Sequence, residues 1–170
     1  MGCRRDLVAR FDCHIAIVNP ALLFVIGGRR DDVERCCTSA LGEGAASARP
    51  IAVHIASHTP RLSNAVAPFR AALEGSAPGR PGRGRTLIGA ATASIVSGAR
   101  DLSGLANQID TTIDWAATLE ALLERGVDRI LELGPGTALA EMVRAVDPAL
   151  DVRAVDDFRS VAGISDWMAR

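Results

Sequence analysis

Tyrosine is absent from this sequence, and all aromatic residues together make up only 4% of its 170 residues. The core must therefore be built mainly from alanine, valine, leucine and isoleucine, which suits helices layered on a sheet. No apolar run approaches the length of about 18 residues that spans a bilayer. The basic residues near the N-terminus are not followed by the apolar stretch of a signal peptide. We therefore expect a cytoplasmic chain without a membrane segment.

Neither sign of charge predominates, since 19 basic and 20 acidic residues give a net charge of −1. The sequence thus lacks the basic excess of nucleic-acid-binding proteins and the acidic excess of disordered tails. The four cysteines, Cys3, Cys13, Cys36 and Cys37, contain no CxxC pair. We predict that they are reduced thiols.

Predicted strands and helices alternate along the chain. Apolar runs predict two strands over 13–19 and 22–26 that are joined by a tight turn, and a helix from Asp31, its expected N-cap, to Leu41. A third strand is expected over Pro50–Ile55, before a helix that Thr59 caps. The later predicted elements are a Pro/Gly/Arg loop over 75–84, strands over 86–90, 129–133 and 152–155, and helices over 102–109, 115–125 and 138–146. This alternation predicts an α/β chain with parallel strand pairs.

The histidine in Ser57-His58-Thr59-Pro60 is the first candidate for chemistry. It ends an expected strand and precedes a helix start, where side chains of α/β sheets face the ligand crevice. A neutral imidazole there would accept a proton from a hydroxyl, although a structural histidine is the commoner outcome for such a position. His54 and His58 have the H-x3-H spacing of metal ligands, but no third ligand is apparent, and we predict no metal site.

The segment Glu132-Leu133-Gly134-Pro135-Gly136 is the second candidate. It imitates the glycine loop of S-adenosylmethionine-dependent methyltransferases, with Asp156 about 20 residues later in place of the ribose-binding carboxylate. However, Ala138 replaces the third glycine, and only 14 residues follow Asp156. A tight turn whose glycines permit positive φ is therefore favoured. A methyltransferase-like cofactor binder stays as an alternative.

Four segments, taken in order, resemble the malonyl-CoA:acyl-carrier-protein transacylase family. They are Ala16-Ile17-Val18-Asn19-Pro20 with Val25-Ile26-Gly27-Gly28, Ser57-His58-Thr59-Pro60-Arg61-Leu62, Asn107-Gln108-Ile109 before Asp114-Trp115, and Glu132-Leu133-Gly134-Pro135-Gly136 with Leu139. The resemblance implies the C-terminal part of an α/β acyltransferase fold. Residues 13–56 would form a ferredoxin-like small subdomain, which need not be complete. Residues 57–170 would form part of the large subdomain, a partial parallel sheet with helices.

The resemblance also implies a reaction. A serine in a G-x-S-x-G turn takes malonyl from malonyl-CoA and passes it to a phosphopantetheine-type thiol on an acyl carrier protein. His58 would be the catalytic general base and then the general acid. Gln108 would help to form the pocket, and a backbone carbonyl from the neighbourhood of Asn107 to Trp115 would orient the imidazole. Ser57 and Asn19 would support the pocket, Asn19 through a structural turn, and no bound cofactor is expected.

The sequence departs from the family in ways that matter. It contains no G-x-S-x-G segment, and the family's carboxylate-binding arginine lies upstream of the region represented. The N-terminal part that bears the nucleophile is therefore expected to be absent, and this chain alone to be inactive unless an N-terminal fragment completes it. The tail, 153–160 with Trp167, resembles the malonate decarboxylase epsilon subunit, which adds other subunits of that enzyme as expected partners. A catalytically silent interaction module is the remaining alternative.

Overall fold

The computed structural model describes residues 2–79, 81–98 and 101–169. It divides into two compact units, Met1–Thr118 and Leu119–Arg170. Its helices and strands are α1 (Gly2–Arg10), β1 (His14–Val18), β2 (Phe24–Gly27), α2 (Arg30–Gly42), α3 (Ser63–Gly75), β3 (Ile88–Gly89), β4 (Ser94–Ile95), α4 (Leu102–Asn107), β5 (Ile113–Asp114), α5 (Trp115–Leu123), β6 (Arg129–Glu132), α6 (Ala138–Val146), β7 (Asp151–Ala154) and α7 (Val161–Met168). Within the described residues, none of the helices has the length and apolar character needed to cross a membrane.

A three-stranded mixed sheet organises the first unit, in the order β2-β1-β5. The strands β1 and β2 pair antiparallel, with His14 opposite Gly27, as the two apolar runs predicted. The strands β1 and β5 pair in parallel, with Ile17 opposite Ile113 and Val18 opposite Asp114. The sheet therefore joins segments almost a hundred residues apart, and the residues that follow β1 and β5 leave it at the same edge.

Small side chains and thiols form the core beside this sheet. Val8, Cys13 and Cys36 are buried together, and Ile15 and Ile26 pack against them. Cys36 lies on the buried face of α2.

The helix α2 begins at Arg30, and the prediction of Asp31 as its N-cap was therefore wrong. Asp31 instead lies in the first turn, where a carboxylate still interacts favourably with the helix dipole.

The segment Pro50–Ile55 is not a strand, and that prediction was wrong. Within the described part of the chain, no backbone hydrogen bond links it to another segment. The side chains of Ile51, Val53 and Ile55 are 56%, 61% and 62% exposed. β-Branched residues favour a strand only when a neighbouring strand is available to pair, and this segment lacks one.

Between this segment and β5 lie the predicted helix, the loop and a short hairpin. The helix begins as a 3-10 turn at Pro60–Leu62 and continues as α3, which accommodates Pro68 in its interior. Gly75 of the predicted loop over 75–84 ends α3, and the other described residues of this loop contain no helix or strand. Strands β3 and β4 pair antiparallel, and α4 falls within the helix predicted at 102–109.

The second unit is a strand–helix–strand arrangement close to the prediction. Strands β6 and β7 pair in parallel from Arg129 opposite Asp151 to Glu132 opposite Ala154. The helix α6 between them has the predicted bounds, 138–146. Its buried face joins the two strands in a core that contains Leu119, Ala140, Val143, Val152 and Ala154.

Candidate active site

His58 lies in a tight turn rather than at a strand end, which corrects the predicted placement. Its backbone has φ +62°, in the left-handed region that non-glycine residues rarely adopt. Thr59, which is 0% exposed, closes the turn, since its hydroxyl donates a 2.7 Å hydrogen bond to the carbonyl oxygen of Ala56. His58 itself is half-buried. The imidazole is thus held at the surface by a turn whose anchor is fully buried.

Two hydrogen bonds attach this turn to the residues after α4. The His58 amide donates to the carbonyl oxygen of Ile109 at 2.7 Å. The His58 Nδ1 lies 2.5 Å from the carbonyl oxygen of Gln108. A carbonyl oxygen only accepts, so Nδ1 carries the proton, and in the neutral ring Nε2 keeps its lone pair. The expectation that a backbone carbonyl from the neighbourhood of Asn107 to Trp115 orients the imidazole is confirmed, and the carbonyl is that of Gln108.

The side chain of Gln108 lies beside Gly89 of β3. A Cβ placed on Gly89 would lie 3.6 Å from the Gln108 amide nitrogen, so the amide packs beside β3. The following residue, Ala90, accepts a hydrogen bond of 3.1 Å from the buried hydroxyl of Thr118. The segment that presents the Gln108 carbonyl is therefore packed against the β3 hairpin, which α5 holds in place.

The other predicted site residues are placed as follows. Ser57 is half-buried in the turn, directly before His58. Asn19 is buried at the end of β1, where its amide donates a 2.9 Å hydrogen bond to Leu23 and starts a 3-10 turn. The structure thus joins His58 and Gln108 by a hydrogen bond and gives Asn19 the position of a turn residue. The catalytic and pocket roles of all four residues stay predictions.

Three comparisons with known proteins bear on this site. No protein-family model matches the chain. The sequence is 25% identical over 144 residues to the malonyl CoA-acyl carrier protein transacylase of Haemophilus influenzae, a match that covers 85% of this chain and 46% of that protein. It is 29% identical over 137 residues to the polyketide biosynthesis protein ThaF of Burkholderia thailandensis, covering 79% of this chain and 11% of that protein.

The structure matches the malonyl-CoA:acyl carrier protein transacylase of Xanthomonas oryzae pv. oryzae with a TM-score of 0.85 and 25% identity, over 98% of this chain and 54% of that one. The resemblance to malonyl-CoA:acyl-carrier-protein transacylases is confirmed. A malonyl-transacylase in complex with a type II polyketide acyl carrier protein also matches, with a TM-score of 0.83 and 25% identity over 93% of this chain and 52% of the other. The chain spans about half the length of the transacylases that it matches.

The predicted α/β fold class is confirmed by these transacylase structures, with helices and a partial mixed sheet. The division into a small subdomain at 13–56 and a larger part at 57–170 stays a prediction.

The glycine turn that follows Glu132 is closed by the protein's own carboxylates. Glu132 accepts hydrogen bonds from the amides of Leu139 (3.2 Å) and Ala140 (2.8 Å), at the start of α6. Asp156 accepts from the Gly136 amide at 2.7 Å. In a nucleotide-binding loop these amides and the acidic residue would face a ligand. Their mutual bonding favours the structural turn over the methyltransferase alternative.

The remaining reactive residue types are thiols and a histidine that are not part of the turn that carries His58. Cys13, Cys36 and Cys37 are free and buried, and burial raises the pKa of the Cys13 thiol to about 11. Burial is also the largest cause of the raised pKa of Cys36. His54 is exposed in the segment that precedes the turn. Among the described residues, no three histidine, cysteine or acidic side chains are grouped in a way that would hold a metal ion.

Sequence reasoning missed how closely the His58 turn packs on β2. A Cβ placed on Gly27 would lie 2.9 Å from Thr59 Cγ2 and 3.1 Å from Ala56 Cβ. Only a glycine at the end of β2 allows this approach. The available signals were the glycine that ends the second apolar run and the small residues on either side of Ser57-His58. Neither signal identifies its partner, because the two segments are some thirty residues apart.

Proposed function

We propose that this chain is the C-terminal, histidine-bearing part of an acyltransferase that moves malonyl from malonyl-CoA to the thiol of an acyl carrier protein. The observation that carries the proposal is the hydrogen bond from His58 Nδ1 to the Gln108 carbonyl, which leaves Nε2 free as a base. The similarity to named transacylases in both sequence and fold supports the choice of reaction.

In the first half-reaction, His58 Nε2 takes the proton of a serine hydroxyl as the serine oxygen attacks the thioester carbon of malonyl-CoA. The tetrahedral intermediate collapses, the carbon–sulfur bond breaks, and the imidazolium returns its proton to the departing CoA sulfur. The malonyl group is then an ester of the serine. The Gln108 carbonyl keeps the ring oriented and stabilises the imidazolium through the Nδ1 proton.

The second half-reaction uses the same nitrogen in the same order. His58 Nε2 takes the proton of the carrier's phosphopantetheine-type thiol, and the sulfur attacks the malonyl ester. The carbon–oxygen bond breaks, and the serine oxygen recovers its proton from the imidazolium. General acid–base catalysis of this kind contributes on the order of 10²- to 10⁴-fold to a rate.

The serine must come from a polypeptide segment outside this sequence, because no G-x-S-x-G is present. About half of each matched transacylase has no counterpart in the chain. We therefore place the nucleophile and the carboxylate-binding arginine in a complementing part. This part corresponds to the portion of the H. influenzae transacylase outside the 144 matched residues.

The test is to co-express the chain with this complementing part and to measure malonyl transfer from radiolabelled malonyl-CoA to an acyl carrier protein. We expect transfer by the complex, a loss of 10²-fold or more in His58→Ala, and an unchanged rate in the control His14→Gln. Equal activity of His58→Ala would refute the role of His58. Robust transfer by the chain alone would refute the need for a complementing part, and stable association without transfer would favour an interaction module.

A narrower assignment, to malonate decarboxylase, rests on the resemblance of residues 153–160 and Trp167 to its epsilon subunit. On that assignment the physiological carrier is the decarboxylase carrier subunit, and the enzyme's other subunits are partners in the cytoplasm. Comparing transfer rates to this carrier and to a fatty-acid acyl carrier protein tests it. A preference for the fatty-acid carrier would count against the decarboxylase.

A further inference from the structure

The segment 50–56, which precedes the His58 turn, has the sequence of a strand without the pairing of one. Ile51, Val53 and Ile55 alternate with Ala52 and His54, the pattern of a strand with one apolar face. All three apolar side chains are more than half exposed. Within the described chain, neither the amides nor the carbonyls of 51–55 find a backbone partner. Both the apolar face and the hydrogen-bonding edge are therefore available.

This segment differs from an ordinary loop in composition. Loops are rich in glycine, asparagine, aspartate and serine, whereas residues 51–55 contain none of these. Proline stands at its first position, where a strand tolerates the missing amide. Exposed apolar edges of this kind are usually blunted by charged residues or covered by another element, and no aspartate, glutamate, lysine or arginine lies between Pro50 and Ala56.

The position of the segment indicates where a strand that covered it would lie. It runs directly into the turn in which Thr59 bonds to Ala56 and positions His58. Ile55 is three residues from His58, which is about 10 Å along an extended chain. A strand paired with this segment would therefore lie next to the imidazole. The proposed function requires that a second polypeptide segment bring a serine to that place.

We infer that residues 50–56 become a β-strand when the complementing part of the transacylase binds, by pairing with an exposed strand edge of that part. The inference rests on the proposed function for the identity of this partner. The matched transacylases contain about as many residues outside the match as within it, which is enough polypeptide to supply such a strand. When a strand is added to a sheet edge in this way, main-chain hydrogen bonds contribute affinity and the burial of alternate side chains contributes specificity.

The test measures amide hydrogen exchange of the chain alone and after co-expression with the complementing part of the H. influenzae or the X. oryzae transacylase. We expect amides within 51–56 to exchange at least 10²-fold more slowly in the complex. Val53→Lys should weaken the association at least tenfold. Val161→Lys is the matched control, since this valine is 78% exposed in the other unit, and it should change the association less than twofold.

The outcomes separate this inference from the proposed function. A complex that transfers malonyl while 51–56 exchange as fast as in the free chain overturns the inference and keeps the function. Protection of 51–56 in a complex that transfers nothing keeps the inference and overturns the function. Protection in the chain alone, with a dimer seen by sedimentation, would make a second copy the occupant and overturn the inference. Failure of both complementing parts to associate with the chain would also overturn the inference.

Discussion

Replacing Thr59 tests whether the buried hydroxyl is what positions His58. The Thr59→Val variant keeps the shape of the side chain but removes the 2.7 Å hydrogen bond to the Ala56 carbonyl. The net contribution of such a bond is about 0.5–1.5 kcal/mol. This bond holds a residue in the left-handed region, which itself costs about 1–2 kcal/mol. Its loss should therefore favour local opening of the turn.

The companion variant Thr59→Ser separates the hydroxyl from the methyl group. It keeps the hydrogen bond and deletes the Cγ2 that packs on Gly27. Deleting one buried methyl group costs about 0.8 kcal/mol. Both variants should thus lower the free energy of unfolding by similar amounts, but only Thr59→Val should release the turn.

The assay is amide hydrogen exchange at His58, whose amide bonds to Ile109 at 2.7 Å. Since 1.4 kcal/mol corresponds to a factor of ten, we expect the His58 amide to exchange about 2- to 10-fold faster in Thr59→Val than in Thr59→Ser. The Asn19 amide, bonded to Leu23 at the end of β1, serves as the internal control and should respond equally in both variants. A His58 amide that exchanges at the same rate in both would refute the assignment of the hydroxyl as the anchor.

Three further predictions follow from packing and burial. Gly27→Ala should destabilise the first unit by about 1–3 kcal/mol in a urea titration, because the added methyl group meets the turn that carries His58. The control Gly42→Ala, whose added methyl group enters open space, should be neutral or stabilising. Equal changes in stability in the two variants would contradict the close packing at Gly27. Burial raises the pKa of the Cys13 thiol from 9.0 to about 11, so the contribution of the neutral thiol to the free energy of unfolding is full below pH 9 and is lost as the pH rises to 11. The Cys13→Ala variant should therefore lose less stability over this pH range. An unchanged slope of stability against pH would contradict this prediction. Trp167→Phe should lower the thermal midpoint, at a cost of about 1–3 kcal/mol, because the indole bond to Asp151 of 2.9 Å is lost; an unchanged midpoint would show that this bond does not stabilise α7.

Local signals predicted the elements that depend on local structure. The helix over 138–146 was predicted with its observed bounds, and the glycine turn before it marks where it begins. The pairing of the first two apolar runs also followed from their short separation. The start of α2 was wrong by one residue, which is the usual precision of a helix end.

Features that depend on distant partners could not be predicted in the same way. Pro50–Ile55 has strand composition, but a strand exists only where another strand pairs with it, and the sequence does not show that partner. The group that orients the His58 imidazole is the backbone carbonyl of Gln108, and every residue type has a backbone carbonyl. Its position was expected only because the flanking motifs resemble a known family, whereas the residue types alone favoured a structural histidine.

The state of the His58 ring tests the central claim most directly. Two-bond ¹H–¹⁵N correlation spectra of the ¹⁵N-labelled chain distinguish a protonated from an unprotonated ring nitrogen, with exposed His54 as the reference. In the neutral ring we predict a proton on Nδ1 and a free Nε2, because the Gln108 carbonyl accepts a hydrogen bond from Nδ1 at 2.5 Å. A neutral His58 with its proton on Nε2 would contradict the account, since the nitrogen needed as a base would then be blocked.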